Sequence, residues 1–364
     1  MPRRKRISTI RDTLPAIYRP LLPRFFSEPA PRETAAVCLC CPMLPGQGSP
    51  GGASALFFDP GTKCCTYSPS IPGYLVGGLL SDASPALAEG RRRIRERIRS
   101  RFGVRPRGLV PGRRFELLYS AGAGQAFGRS SNLRCPYHDP ASGHCTVRPW
   151  WESTCHTWFC KHVAGNDGLL VWQALRRYLK AVEEALTAFV LNRTGLPPDD
   201  LPATGDSGTL SAGELDEHPL SEAEHRRLWG RFAGHEEDFY RRAFRLVSGL
   251  TRTEFQQTGG APLALRLRAL RKAHEAALAR NAPPVLLRAP ALAVTYLGGG
   301  RYRLTTYSEY DPLVVSRAVF RLLDEFDGVR TNRQIGVALR RAGKTALPGR
   351  LLLQLHQARV LVVP

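Results

Sequence analysis

The chain has 364 residues, 43% of them hydrophobic, with a formal charge of +21 and a pI near 10.2. That apolar content excludes wholesale disorder, and the length allows roughly two or three domains. There is no apolar run long enough to span a bilayer, and the basic start MPRRKRISTIRD lacks the apolar stretch of a secretory signal.

The expectation is therefore a cytoplasmic protein with no membrane partner, whose thiols stay reduced. Of the 52 basic residues only six are lysine, leaving 46 arginines. Two readings compete: a surface for nucleic acid, or the imprint of a GC-rich genome, which also enriches Ala, Gly and Pro. The second carries more weight.

Residues 1–34 read as a basic, proline-punctuated arm. Pro15, Pro20 and Pro23 forbid a long helix through the apolar piece TLPAIYRPLLPRFF, so an extended run or short turns are expected. Cys38 and Cys41 form a CxxC pair with Cys40 between them. Ala55-Leu56-Phe57-Phe58 reads as a short buried strand leading to the adjacent pair Cys64-Cys65, where a backbone turn is needed if both sulfurs are to serve one site. Ser84, with Pro85 after it, opens a helix to Phe102 that carries seven arginines. Its basic face is read as solvated, or else as an acidic-partner or nucleic-acid surface.

Phe115–Tyr119 reads as a strand, followed by a glycine-rich loop at 122–128. That loop is no phosphate cradle, because no Gly-Lys-Ser/Thr follows it. Asp139-Pro140 and Ser142-Gly143 predict a hairpin between Cys135 and Cys145, and Cys155 and Cys160 are expected on a loop or helix end. Leu169–Leu191 has helical periodicity. Ser221 with Glu224 forms a capping box opening one helix through Leu228, Phe232, Phe239 and Phe244. His235-Glu236-Glu237 reads as a solvated helix face. Ala261–Ala279 is a basic amphipathic helix.

The last 80 residues predict a hairpin around Gly298-Gly299-Gly300, helices near 312–326, 331–342 and 347–358, and a terminal edge strand. Helices followed by a strand suggest a winged-helix module. The fold class expected is α+β: a loop-rich cysteine-cluster domain at 35–165, a helical region at 166–283 and a winged-helix-like domain at 284–364.

All nine cysteines lie in the first 160 residues, and the last four, Cys135, Cys145, Cys155 and Cys160, are separated by 10, 10 and 5. Inert core thiols would be scattered, and disulfides conflict with an odd count and a reducing compartment. Thiolate ligands make physical sense, since all-sulfur sites select Zn²⁺ or iron–sulfur clusters. The aromatic residues Tyr137, Trp150, Trp151, Trp158 and Phe159 would exclude water from such a site, or simply pack.

This ordered set resembles the YkgJ-like CxxCxxCC family of zinc- or iron-chelating domains. Cys38 and Cys41 match its CxxC, Cys64 and Cys65 its Cys-Cys pair. Cys135, Asp139, Gly143, Cys145, Val147, Arg148, Pro149 and Cys155 match its final block, which Cys160 extends. The resemblance spans about residues 35–165, with a 22-residue insertion after Cys41 and Cys40 extra. It implies metal ligands Cys38, Cys41, Cys64, Cys65, Cys135, Cys145, Cys155 and Cys160, filling two four-coordinate sites or one cluster with labile extra thiols.

One relative, the flagellin lysine N-methylase, links the family to an iron–sulfur cluster and protein modification. No methyl-donor motif or Cys–His–Asp nucleophile arrangement is present here, so no catalytic residue is assigned. Ser316–Val363 is similar to PqqD-like peptide-recognition modules, which implies a protein or peptide substrate held there. The alternative is a non-enzymatic structural-zinc protein whose winged helix contacts nucleic acid or a protein partner.

Overall fold

The structure, a computed structural model, describes residues 9–31, 41–44, 57–197 and 212–364. Cys38, Cys40, and Ala55 and Leu56 of the expected strand lie outside these. The N-terminal arm takes the expected short turns, three 3₁₀ turns at Ile10–Thr13, Ala16–Tyr18 and Arg24–Ser27. It is not peripheral: Ile10, Leu14, Tyr18, Leu21, Leu22 and Phe26 are buried in the main core.

The first strand, β1 (Ile71–Pro72), pairs with β3 (Gly108–Leu109), which also pairs with β2 (Val104–Arg105). Between β1 and β2 lie helices α1 (Gly73–Ser81) and α2 (Ala88–Ser100). Helix α1 was not foreseen, because Gly73, Gly77 and Gly78 depress its propensity. Tertiary packing overrides that cost. A Cβ on Gly77 would overlap the Tyr240 carbonyl, and one on Gly78 the Trp150 ring. The missing side chains let α1 lie against a later helix at backbone contact.

Two expectations are corrected here. Phe115–Tyr119 and the glycine-rich 122–128 segment form not a strand and loop but mostly one helix, α3 (Arg113–Ala126). Phe115 and Tyr119 are four apart and stack with centroids at 5.8 Å, a helical spacing. Phe57 and Phe58 form no strand; Phe58 is buried in a loop, its amide donating to the Met43 carbonyl at 2.8 Å.

The hairpin appears as β4 (His138–Asp139) paired with β5 (His144–Cys145). Then come α4 (Ser153–Thr157) and the long α5 (Gly165–Thr194). At 30 residues α5 runs about 45 Å. It ends at Gly195, whose φ of +70° supplies the left-handed cap. After α6 (Ala212–Leu215), the Ser221–Glu224 capping box opens α7 (Glu222–Trp229).

The single helix expected from there is broken. Gly230 and Gly234 take φ of +52° and +84°, and α8 starts anew at Glu236–Ser248. Helix α9 (Arg252–Ala277) kinks at Gly260, next to Pro262. Helix α5 packs along α9, and α1 along α8. One hydrophobic core runs from Ile10 to Leu270, crossing residues 165–166 where the sequence texture changes.

The C-terminal residues have a core of their own, from Leu286 to Leu361. Here β6 (Val285–Arg288) is central between β10 (Asp327–Thr331) and the terminal edge strand β11 (Leu361–Val362). A second sheet runs β7 (Ala293–Tyr296), β8 (Arg301–Thr305), β9 (Leu313–Ser316). Helices α10 (Arg317–Leu322), α11 (Asn332–Arg341) and α12 (Gly349–Gln357) complete the unit. The hairpin and the last two helices match expectation. The first helix starts later, because Leu313–Ser316 extend β9. The whole is an α+β protein of helices and small antiparallel sheets.

Candidate metal centre

The cysteine-bearing segments are brought together by a turn at 59–66. The Asp59 carbonyl accepts from the amides of Thr62 (3.1 Å) and Lys63 (2.8 Å), and its carboxylate accepts from the Gly61 amide at 2.7 Å. Lys63 takes φ of +50°. The turn is pinned to Gly128, past the end of α3. The Thr66 hydroxyl accepts from the Gly128 amide (2.7 Å), and the Thr62 hydroxyl donates to its carbonyl (3.0 Å). Lys63 Nζ donates to the Gly143 carbonyl at 3.1 Å, tying the turn to the tip of the β4–β5 hairpin. The Cys135 amide donates to the Cys65 carbonyl at 2.7 Å, joining the hairpin's other end.

The turn leaves its two sulfurs hydrogen-bonded to each other but with different further neighbours. Cys65 lies near Cys135 and Cys145, and Cys155 lies near the same two. Cys160 faces Cys41 and Cys64. Packing divides six of the seven alike. Cys135 is buried in the main core, with Cys65 and Cys145 against it. Cys41 and Cys160 belong to a separate small cluster, with Met43, Phe58 and Phe127, against which Cys64 packs. Seven of the nine cysteines are described, in sets of four and three; Cys38, the proposed partner of Cys41, is outside the described residues.

Each set has its own positioning. Glu152 caps α4, its carboxylate accepting from the amides of Thr154 (2.7 Å) and Cys155 (2.9 Å), which fixes Cys155 at the first turn. Trp151 Nε1 donates to Cys145 Sγ at 3.1 Å. In the second set Trp158 packs on Phe127 (5.1 Å), and Tyr310 of the C-terminal unit closes on Phe58 (5.7 Å). The aromatic residues among the cysteines pack, as one of the two expectations had it, and one of them also bonds a sulfur. Trp151 holds a sulfur, while Phe159 packs on Trp172 at 4.5 Å.

No disulfide forms among the described cysteines. Burial, with mutual repulsion of the thiolates, pushes Cys135 and Cys160 up to about 12 and Cys155 well above the ordinary thiol range. The Cys64–Cys65 pair splits. A hydrogen bond from Cys65 favours the Cys64 thiolate and holds Cys65 as the neutral donor.

As to fit for a metal, the donor chemistry is that of Zn²⁺ or an iron–sulfur cluster. Among the described residues, however, no three His, Cys, Asp or Glu side chains already converge as a metal-holding group. Coordination would therefore have to draw the sulfurs inward, as metal binding coupled to folding does.

Sequence reasoning missed several groups beside the sulfurs. His138 on β4 and His162, two residues past Cys160, are buried with neither ring nitrogen partnered among the described residues. Burial lowers both, His162 to about 4, leaving neutral imidazoles. Glu183 is buried on α5 beside the apolar stripe Leu175, Leu179, Val182 and Leu186. An acid next to that stripe was the available signal.

The basic residues are corrected in part. The arginines of α2 are not simply a solvated face. Arg93 reaches the carbonyls of Pro136 (2.8 Å) and His138 (3.0 Å), Arg97 the Tyr137 hydroxyl (2.7 Å), and Arg95 pairs with Glu237 at 3.2 Å. Likewise Glu236, expected in solvent, is buried with its Oε1 3.0 Å from His225 Nε2.

Comparison with protein-family models, with curated proteins and with solved structures finds no match. No described helix is long and apolar enough to cross a membrane.

Proposed function

We propose that this chain is a cysteine-cluster metalloprotein of a reducing compartment such as the cytoplasm, its thiolates holding zinc or an iron–sulfur cluster. The supporting observation is the gathering of seven cysteines from distant segments around the hydrogen-bonded Cys64–Cys65 pair, with Cys135, Cys145 and Cys155 near Cys65 and Cys41 and Cys160 near Cys64. Packing alone gives no reason for thiols so far apart in sequence to collect about one such pair. Zinc bound there would staple a region short of regular structure, and an iron–sulfur cluster would add electron transfer.

The residues themselves do the rest. Glu152 orients Cys155, Trp151 directs a proton donor at Cys145, and Phe127, Trp158 and Tyr310 keep water from the second set. Tyr310 also ties the C-terminal unit to that set. This favours protein or peptide modification, with the C-terminal winged-helix-like module holding the substrate. The rival reading, a nucleic-acid binder, needs an outward basic face, whereas arginines of α2 are drawn into the fold.

The test is metal content of Cys64→Ser and Cys65→Ser. Each single variant should lose part of the bound metal, and the double variant nearly all of it. Complete loss from either single variant, or no loss from both, would refute the two-set assignment.

A further inference from the structure

A cleft of about 1030 Å³ opens beside α4 and α5, apart from the sulfurs. Its character differs from that of the chain. In a protein of charge +21, six acidic side chains line it (Glu116, Glu152, Glu183, Glu184, Glu214 and Glu217) against five basic ones. The acids lie at two depths. Glu184 is exposed, whereas Glu152 and Glu183 are buried in the floor.

The floor is incompletely satisfied. Both oxygens of Glu152 are taken up by the first amides of α4. Glu183 Oε2 accepts from the Ser153 hydroxyl at 2.9 Å, but Glu183 Oε1 has no hydrogen-bond partner among the described residues. An unmatched buried carboxyl oxygen at the bottom of an open cleft is costly unless something completes it.

The walls indicate what that would be. A row of rings runs down from α3: Phe115 stacks on Tyr119 at 5.8 Å, and Tyr119 meets Tyr67 edge-on at 5.8 Å. Tyr67 stands next to Glu152. Ring faces attract cations, and paired acids at the end of such a row attract them further.

We propose that the cleft binds an organic cation of the alkylammonium class, its charged nitrogen against Glu183 and its carbon chain along Tyr67, Tyr119 and Phe115. An anion would meet two buried acids, and a neutral alkyl group would leave Glu183 unmatched. The site shares Glu152 with the mount of Cys155, though no cysteine lines it.

Proton linkage makes the proposal testable. Glu183 is held protonated by burial and by Glu152, so a cation must displace that proton. The charged and titratable groups around Glu183 are Glu152 from the start of α4, Tyr18 from the N-terminal arm, Tyr74 from α1 and Lys180 on its own helix. Both tyrosines are raised above their usual range and do not titrate between pH 5.5 and 8.

The experiment is ligand-observed NMR titration of the full-length protein with n-butylammonium, n-butanol and n-butyrate at constant ionic strength. Butylammonium should bind best, tightening by up to about 10-fold per pH unit between pH 5.5 and 8. Glu183→Gln should weaken it at least about 10-fold and flatten the pH profile, while Glu184→Gln changes it less than about two-fold. Equal binding of butanol, preference for butyrate, or a pH-independent wild-type affinity would each overturn the proposal. The wild-type ligand comparison and pH profile decide the matter even if Glu183→Gln fails to fold.

Discussion

Glu183→Gln should change the pH dependence of stability in a defined direction. Glu183 is buried on α5, and burial first, then Glu152, raises its pKa well above 4.5. A carboxyl raised in this way binds its proton more tightly folded than unfolded. Its protonated form costs nothing below pH 4.5, but above it the unfolded chain releases the proton and the folded chain does not. Stability therefore declines as pH rises, by at most about 1.4 kcal/mol per pH unit, until the folded group ionises. Between pH 5.5 and 7.5 this reaches about 2.7 kcal/mol if Glu183 stays protonated throughout. The variant keeps the shape and a donor toward the same surroundings but has no proton to lose. Urea unfolding of both proteins across that range should show the variant gaining on wild type as pH rises, most of the way to that figure. Parallel curves would show that Glu183 is already ionised in the fold and would refute the reasoning.

Other outcomes follow from particular contacts. Gly77→Ala places a methyl on the Tyr240 carbonyl, where backbone cannot yield, and should cost about 3 kcal/mol or prevent folding, read by the same denaturation. Ser221→Ala removes the hydroxyl that accepts from the Glu224 amide at 3.3 Å and should cost about 1 kcal/mol locally, seen as faster amide exchange in α7. Cys155→Ala should lower metal content and destabilise the N-terminal half, while Cys40→Ala, the cysteine extra to the CxxC spacing, should do little. Equal metal loss from the two would contradict the ligand assignment.

What the sequence revealed was mainly local. The helical periodicity of Leu169–Leu191, the Ser221–Glu224 box and the Asp139–Gly143 turn all express themselves within a few residues, and each is present, the first inside the longer α5. What it hid depends on distant partners. Helix α1 reads as a poor helix until Tyr240 and Trp150 occupy the space its glycines leave. Helix α3 runs through Gly122 and Gly124 despite their low helix propensity, which a local reading takes for a loop. The break between α7 and α8 rests on positive φ at Gly230 and Gly234, invisible to a pattern of apolar spacing. Strands β6 and β10 pair across about 40 residues of chain. In the site, cysteine spacing located the segments but not the division of the sulfurs, which the 59–66 turn and its bonds to Gly128 impose.

The measurement that bears most directly on the central claim is the metal and acid-labile sulfide content of anaerobically purified protein, taken with its visible absorption. The account predicts stoichiometric zinc in a colourless protein, or iron and sulfide in a brown one, in either case lost on substitution of Cys135. A folded, metal-free protein whose buried thiols all react with a thiol reagent would contradict it.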